Sequence, residues 1–93
     1  MKQKFKKLSF VHIVVDKKKT PEMSHFNSDF DAIVNGTYSQ LHGGYNIDSY
    51  DIYMLKNGKI VNELAWHRES QLTLLPNQDR DLAEEMIEEY HLQ

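Results

Sequence analysis

Residues 49–75 read SYDIYMLKNGKIVNELAWHRESQLTLL, and their pattern decides the fold class. Two apolar-rich runs, 50–55 and 60–66, flank Asn57-Gly58. A tight hairpin between twisted strands uses a type I′ turn, which needs φ > 0 at both central residues, and Asn followed by Gly tolerates both. A third short apolar run, 72–75, follows and stops at Pro76, which cannot donate to a strand ladder. The centre of the chain therefore reads as a small antiparallel sheet. With a two-residue loop, Leu55 faces Ile60, Met54 faces Val61 and Tyr53 faces Asn62. One face then holds Tyr50, Ile52, Met54, Val61, Glu63 and Ala65. The other holds Asp51, Tyr53, Leu55, Ile60, Asn62, Leu64 and Trp66. Neither face is cleanly apolar, so a flat, one-sided sheet does not fit. A strongly bent sheet or small barrel, with a bulge near Asn62-Glu63, does.

Outward from the hairpin, residues 8–15, LSFVHIVV, are apolar and β-branched at almost every position. Such a run buries both faces, as in a central or barrel strand. Residues 41–48, LHGGYNID, read as a loop around Gly43-Gly44. Residues 77–92 read as a helix that Asn77 or Asp79 can cap. Leu82, Ala83, Met86, Ile87 and Tyr90 form its apolar stripe, and Glu84, Glu85, Glu88 and Glu89 cover the other side. Residues 20–36 pull two ways. Met23, Phe26, Phe30, Ile33 and Val34 fall at helical spacing, with Pro21 suited to a first helical position. Against this, Ser24, Asn27, Ser28, Asp29 and Asp31 are poor interior helix formers, and Phe30, Ala32 and Val34 fit one face of a strand. Local spacing and capping favour the helix, and an α+β fold with a helix at about 21–34 is the alternative to a strand here.

Several pieces together, residues 25–75, resemble small SH3-like β-barrels, including uncharacterised domains of Gram-positive bacteria and their phages. The resembling residues are DFDAIVNGTYSQ, the run GGYNIDSYDIYML and the ending AWHRESQLTLL. In such barrels a closing strand often follows an aromatic, a charged step and a leucine, as Trp66, Glu69, Gln71 and Leu72 do here. The resemblance implies a mainly β fold, an SH3-like antiparallel barrel or strongly bent sheet with one C-terminal α-helix. It also implies irregular structure through Asn27 and a strand from about Phe30 to Gln40, overriding the helical spacing. It names no catalytic residue and no ligand. The strand at 8–15 and the C-terminal helix lie outside the matching pattern.

Ninety-three residues make one domain, 1–93, with a sheet part at 8–75 and a helix at 77–92. A chain this short buries only about 60–65% of the surface its unfolded form exposes, so the core is thin. Net charge is −3 and hydrophobic content 40%, ordinary for a globular domain. No run approaches the ~18 apolar residues of a membrane span. The N-terminus is basic then apolar, but it is followed by Asp16 and three lysines rather than a signal-peptide cleavage site. There is no cysteine, hence no disulfide framework and no thiolate metal site, and a cytoplasmic location is expected. Seven lysines against Asp16 leave the first nineteen residues at +6, so the remainder carries −9 to reach −3. Two solvated faces that attract each other within one fold explain this, and so does a basic patch for an anionic partner.

Candidate chemistry is sparse. His12, His25, His42, His67 and His91 are never closer than thirteen residues, unlike the short ligand spacings of zinc sites. His12, inside an apolar strand, reads as a satisfied core histidine. Asp29/Asp31, Asp79/Asp81 and the C-terminal glutamates sit in loops or on a polar helix face. No nucleophile elbow or phosphate loop marks an active site. No enzyme activity, cofactor or metal is expected. Aromatics are the better lead: Trp66 reads as core, while Tyr38, Tyr45 and Tyr53, with His42 and Ile47, make a candidate binding surface. Exposed tyrosines on a small barrel form peptide grooves or base-stacking platforms. The expectation is a non-enzymatic protein-interaction domain, with a phage or mobile-element accessory protein as its setting. A nucleic-acid-binding barrel using the basic N-terminal segment is the alternative. A homodimer through an uncovered sheet edge is compatible with either.

Overall fold

In the computed structural model, Asn57 and Gly58 have φ of 53° and 77°, the pair of positive angles that a type I′ turn requires. The structure describes residues 5–15, 29–37, 41, 43–44, 49–66 and 69–92. Five strands, β1 (Phe10–Ile13), β2 (Phe30–Thr37), β3 (Tyr50–Lys56), β4 (Lys59–Trp66) and β5 (Leu72–Leu74), precede the helix α1 (Arg80–His91). The strands form one antiparallel sheet in the order β4-β3-β2-β1-β5, and a 3₁₀ turn at Glu69–Gln71 leads into β5. The fold is mainly β. No helix among the described residues is long and apolar enough to cross a membrane.

The hairpin resolves its own mismatch. Leu55 pairs with Ile60 as the two-residue loop dictates, but Met54 pairs with Asn62, so Val61 is an extra residue in β4. The bulge lies one position before the expected Asn62-Glu63. Beyond it the parity of β4 reverses. Ile60 stays with Leu55 and Tyr53 on one face, and Leu64 and Trp66 move to the face of Tyr50 and Ile52. Both faces thereby become apolar toward their own core. A second shift, between Val34 and Gly36, leaves Asn35 as the extra residue of β2.

Each face of the sheet carries a core. One gathers Val11, Ile13, Phe30, Tyr50, Ile52 and Trp66, with the Trp66 ring edge-on to Phe30 at 5.6 Å between centroids. The other gathers Leu8, Phe10, Ile33, Tyr53 and Ile60 beneath α1, which buries Ala83 and rests Met86, Ile87 and Tyr90 on them. This explains why residues 8–15 are apolar on both sides. Trp66 is fully buried, as its apolar setting predicts.

Three expectations need correction. The helix at about 21–34 is ruled out over its second half, because Phe30–Thr37 is strand; residues 16–28 lie outside the described residues. The helix stripe is narrower than its spacing suggests, since Leu82 is 45% exposed and packs in neither core. His12 is no core residue. It lies on the face of Phe10, with its side chain 38% exposed. Its Nδ1 lies 2.8 Å from Asp31, its register partner in β2, and its Nε2 lies 3.6 Å from Asp29.

Candidate functional site

Lys6, Lys7, Leu8 and Ser9 form a tight turn closed by Ser9 N–H donating to the Lys6 carbonyl at 3.2 Å. Leu8, third in the turn, has φ of 72°. Glycine or asparagine usually fills such a position, because a branched side chain crowds its own backbone there. Two backbone bonds to β2 hold it: Leu8 N–H donates to Val34 O at 2.7 Å, and Val34 N–H donates to Ser9 O at 2.9 Å. The Leu8 side chain is buried under α1, and burial of that size opposes the backbone strain. The turn therefore displays Lys6 and Lys7 as exposed neighbours on a rigid base.

The start of α1 is tied to the same place by Gln78. Its Oε1 accepts from Phe10 N–H at 2.8 Å, and its Nε2 donates to Phe10 O at 2.8 Å and to Leu75 O at 2.7 Å. The side-chain amide thus continues the β5 edge of β1 in place of a backbone. Asp79 caps the helix by accepting from Leu82 N–H at 3.0 Å. Arg80 follows and projects toward the Lys6–Lys7 turn.

Between turn and helix run two adjoining clefts. The smaller, about 280 Å³, lies between Lys6, Lys7 and Arg80, with Leu8 and the 54%-exposed Leu74 as apolar surface. The larger, about 430 Å³, runs along α1 past Ile87 to Glu84, Glu88 and His91, with Asn35 of the β2 bulge opposite. Lys7, Leu8 and Arg80 line both, so the two form one groove. Volumes of this order suit a few side chains of a ligand. Among the described residues, no carboxylate pairs with Lys6, Lys7 or Arg80. A third crevice, between the hairpin tip and Tyr90, holds only about 10 Å³. Among the described residues, no group of three potential ligands converges to hold a metal ion.

Of the candidate binding residues, His42, Tyr45, Ile47 and Tyr38 lie outside the described residues. Tyr53 is placed differently from an exposed platform: it is only 4% exposed and belongs to the core under α1. Its ring meets Tyr90 edge-on at 6.0 Å, and its hydroxyl lies 3.4 Å from His91 Nε2 at the floor of the larger cleft. Burial pushes the Tyr53 phenol up, and the Glu63 carboxylate adds to this. At His12 the Asp31 hydrogen bond holds the imidazolium above its usual range, against a desolvation cost, with Asp29 contributing.

The groove residues carry a weak signal in the sequence. Arg80 is a cation at a first helical position, where the helix dipole disfavours it, and that anomaly marks it. The left-handed Leu8 has no such mark, because nothing in Lys-Lys-Leu-Ser announces a positive φ. No family model, curated protein or solved structure matches the chain.

Proposed function

We propose that this chain is a small non-enzymatic protein-interaction domain that receives a segment of a partner in the groove between the Lys6–Ser9 turn and α1. The observation that carries this reading is the juxtaposition in one groove of apolar Leu8 and Leu74 with the exposed cations Lys6, Lys7 and Arg80. Apolar floor and polar rim are the ordinary makings of a peptide-docking site. Against catalysis, the groove carboxylates Glu84 and Glu88 sit in like, exposed settings rather than the unlike settings that separate an acid from a base. The same cations would attract a nucleic-acid backbone, but Glu84 and Glu88 on the adjoining wall and a net charge of −3 oppose it. Selection from a peptide display library, followed by chemical-shift mapping, tests the reading. Enriched peptides that move the Leu8, Leu74 and Gln78 amides support it. Binding confined to single-stranded oligonucleotides at about 150 mM salt sinks it, since that ionic strength already screens weak phosphate contacts.

For the fold, the SH3-like reading gains support from the strand order β4-β3-β2-β1-β5 and the 3₁₀ turn before β5. Two bulges supply the bending that a small barrel needs. Through-space NMR contacts between the end of β4 and β5 are expected. Their absence would leave an open, helix-backed sheet and end the barrel reading.

A further inference from the structure

We infer that the groove reads charge order: it selects an extended peptide whose acidic and basic residues lie in separate blocks at opposite ends. This rests on the docking reading above and specifies its ligand. At the β5 end the groove walls offer Lys6, Lys7 and Arg80 and, among the described residues, no carboxylate. At the other end they offer Glu84 and Glu88, one helical turn apart on α1. Lys7 and Arg80 stand at the junction. The helix dipole has the same sense, positive toward Arg80 and negative toward His91, so backbone and side chains reinforce one another along the groove. Among the described residues, three further titratable groups stand nearby, and none of them is a carboxylate lining the positive end. Asp79 is engaged in capping Leu82 N–H, Asp81 lines neither cleft, and His91 lies at the negative end against Tyr53. Leu74 adds apolar surface at the β5 end and Ile87 at the other, while Leu8 at the junction is itself buried. A ligand complementary to that series places carboxylates between Lys6, Lys7 and Arg80 and an ammonium or guanidinium against Glu84 and Glu88, with aliphatic side chains beside Leu74 and Ile87. Complementarity of this kind sets specificity and orientation more than raw affinity.

The test uses the full chain and two fluorescein-labelled peptides of one composition, the first with its aspartates and lysines in separate blocks on either side of a leucine, the second with them alternating. Both carry the same net charge, so their difference isolates charge order. Fluorescence anisotropy is expected to show the first peptide bound about tenfold or more tightly than the second, the margin falling with salt as exposed pairs are screened. Lys7→Glu with Arg80→Glu should abolish that preference. Glu84→Gln with Glu88→Gln, changes on an exposed helix face, should reduce it without unfolding the chain, which the Trp66 emission reports. Equal affinity for the two peptides overturns the inference, as does a preference that survives both double variants. If display-selected peptides map to the groove while charge order makes no difference, charge reading falls and docking stands. If no peptide of any charge maps there, both fall.

Discussion

Gln78→Ala isolates a side chain that does the work of a strand. Three hydrogen bonds of 2.7–2.8 Å join the Gln78 amide to Phe10 N–H, Phe10 O and Leu75 O. At about 0.5–1.5 kcal/mol net for each, the set amounts to about 1.5–4.5 kcal/mol. Immobilising a glutamine side chain offsets up to ~2 kcal/mol of that. Removal should therefore cost about 1–3 kcal/mol. Gln78→Glu separates mechanism from solvation. It keeps an acceptor for Phe10 N–H but turns a carboxylate oxygen toward two carbonyls, at a cost of about 1–3 kcal/mol for the unsatisfied groups. Its charge beside the helix N-terminus returns only about 0.3–1 kcal/mol. The glutamate variant should therefore be at least as destabilised as the alanine one. Urea unfolding followed by Trp66 emission measures both, and the midpoints should fall by about 1 M at the urea dependence usual for small domains. A glutamate variant as stable as the parent would show that the dipole outweighs the amide bonds, and would refute a strand-like role for Gln78.

Trp66→Ala should cost about 3–5 kcal/mol, the usual loss for a buried large aromatic, and circular dichroism in denaturant checks this because the fluorophore is gone. A loss under ~1 kcal/mol would contradict the burial of Trp66. For His12 the folded-state pKa is raised above 6.5. Its contribution to stability should be fully present below about pH 6.5, the unfolded value, and fade as pH rises through the folded value. NMR titration of the ring should show Asp31→Asn lowering that folded value, and an unchanged midpoint would disprove the assignment. Deleting the residues after Pro76 uncovers Leu8, Phe10, Tyr53 and Ile60 and should lower the thermal midpoint and the solubility. A truncated chain that melts with the parent would show that α1 contributes nothing to the fold.

Legibility from sequence followed the range of the interactions. The Asn57-Gly58 turn and the two-sided run at 8–15 rest on local rules, and each emerged where residue type and spacing place it, whereas the start of β2 at Phe30 was expected from the SH3-like pattern against the helical spacing. The strand won over the helix at Phe30–Val34 because Phe30, Ala32 and Val34 share one core while Ile33 enters the other. Helical spacing alone carries no information about two cores. The hairpin's uneven faces announced a bulge, yet its position at Val61 depends on which face Trp66 must fill. The groove was the least legible. Lys7, Leu8, Gln78 and Arg80 are far apart in the chain, and only the docking of α1 brings them together. Tyr53 looked like a surface aromatic because its cover, α1, begins nearly thirty residues later.

Val61 also has an evolutionary reading. Its side chain is 48% exposed and makes no core contact, so almost any residue can stand there. The position itself is another matter. Val61 is the half-step that puts Ile60 and Trp66 on opposite faces, and without it every later residue of β4 would turn to the wrong side. A substitution scan would record the site as silent, whereas loss of its single codon should unfold the domain. Selection there acts on the count of residues rather than on their identity, so drift in the letter and rigidity in the spacing belong together at this point of the chain.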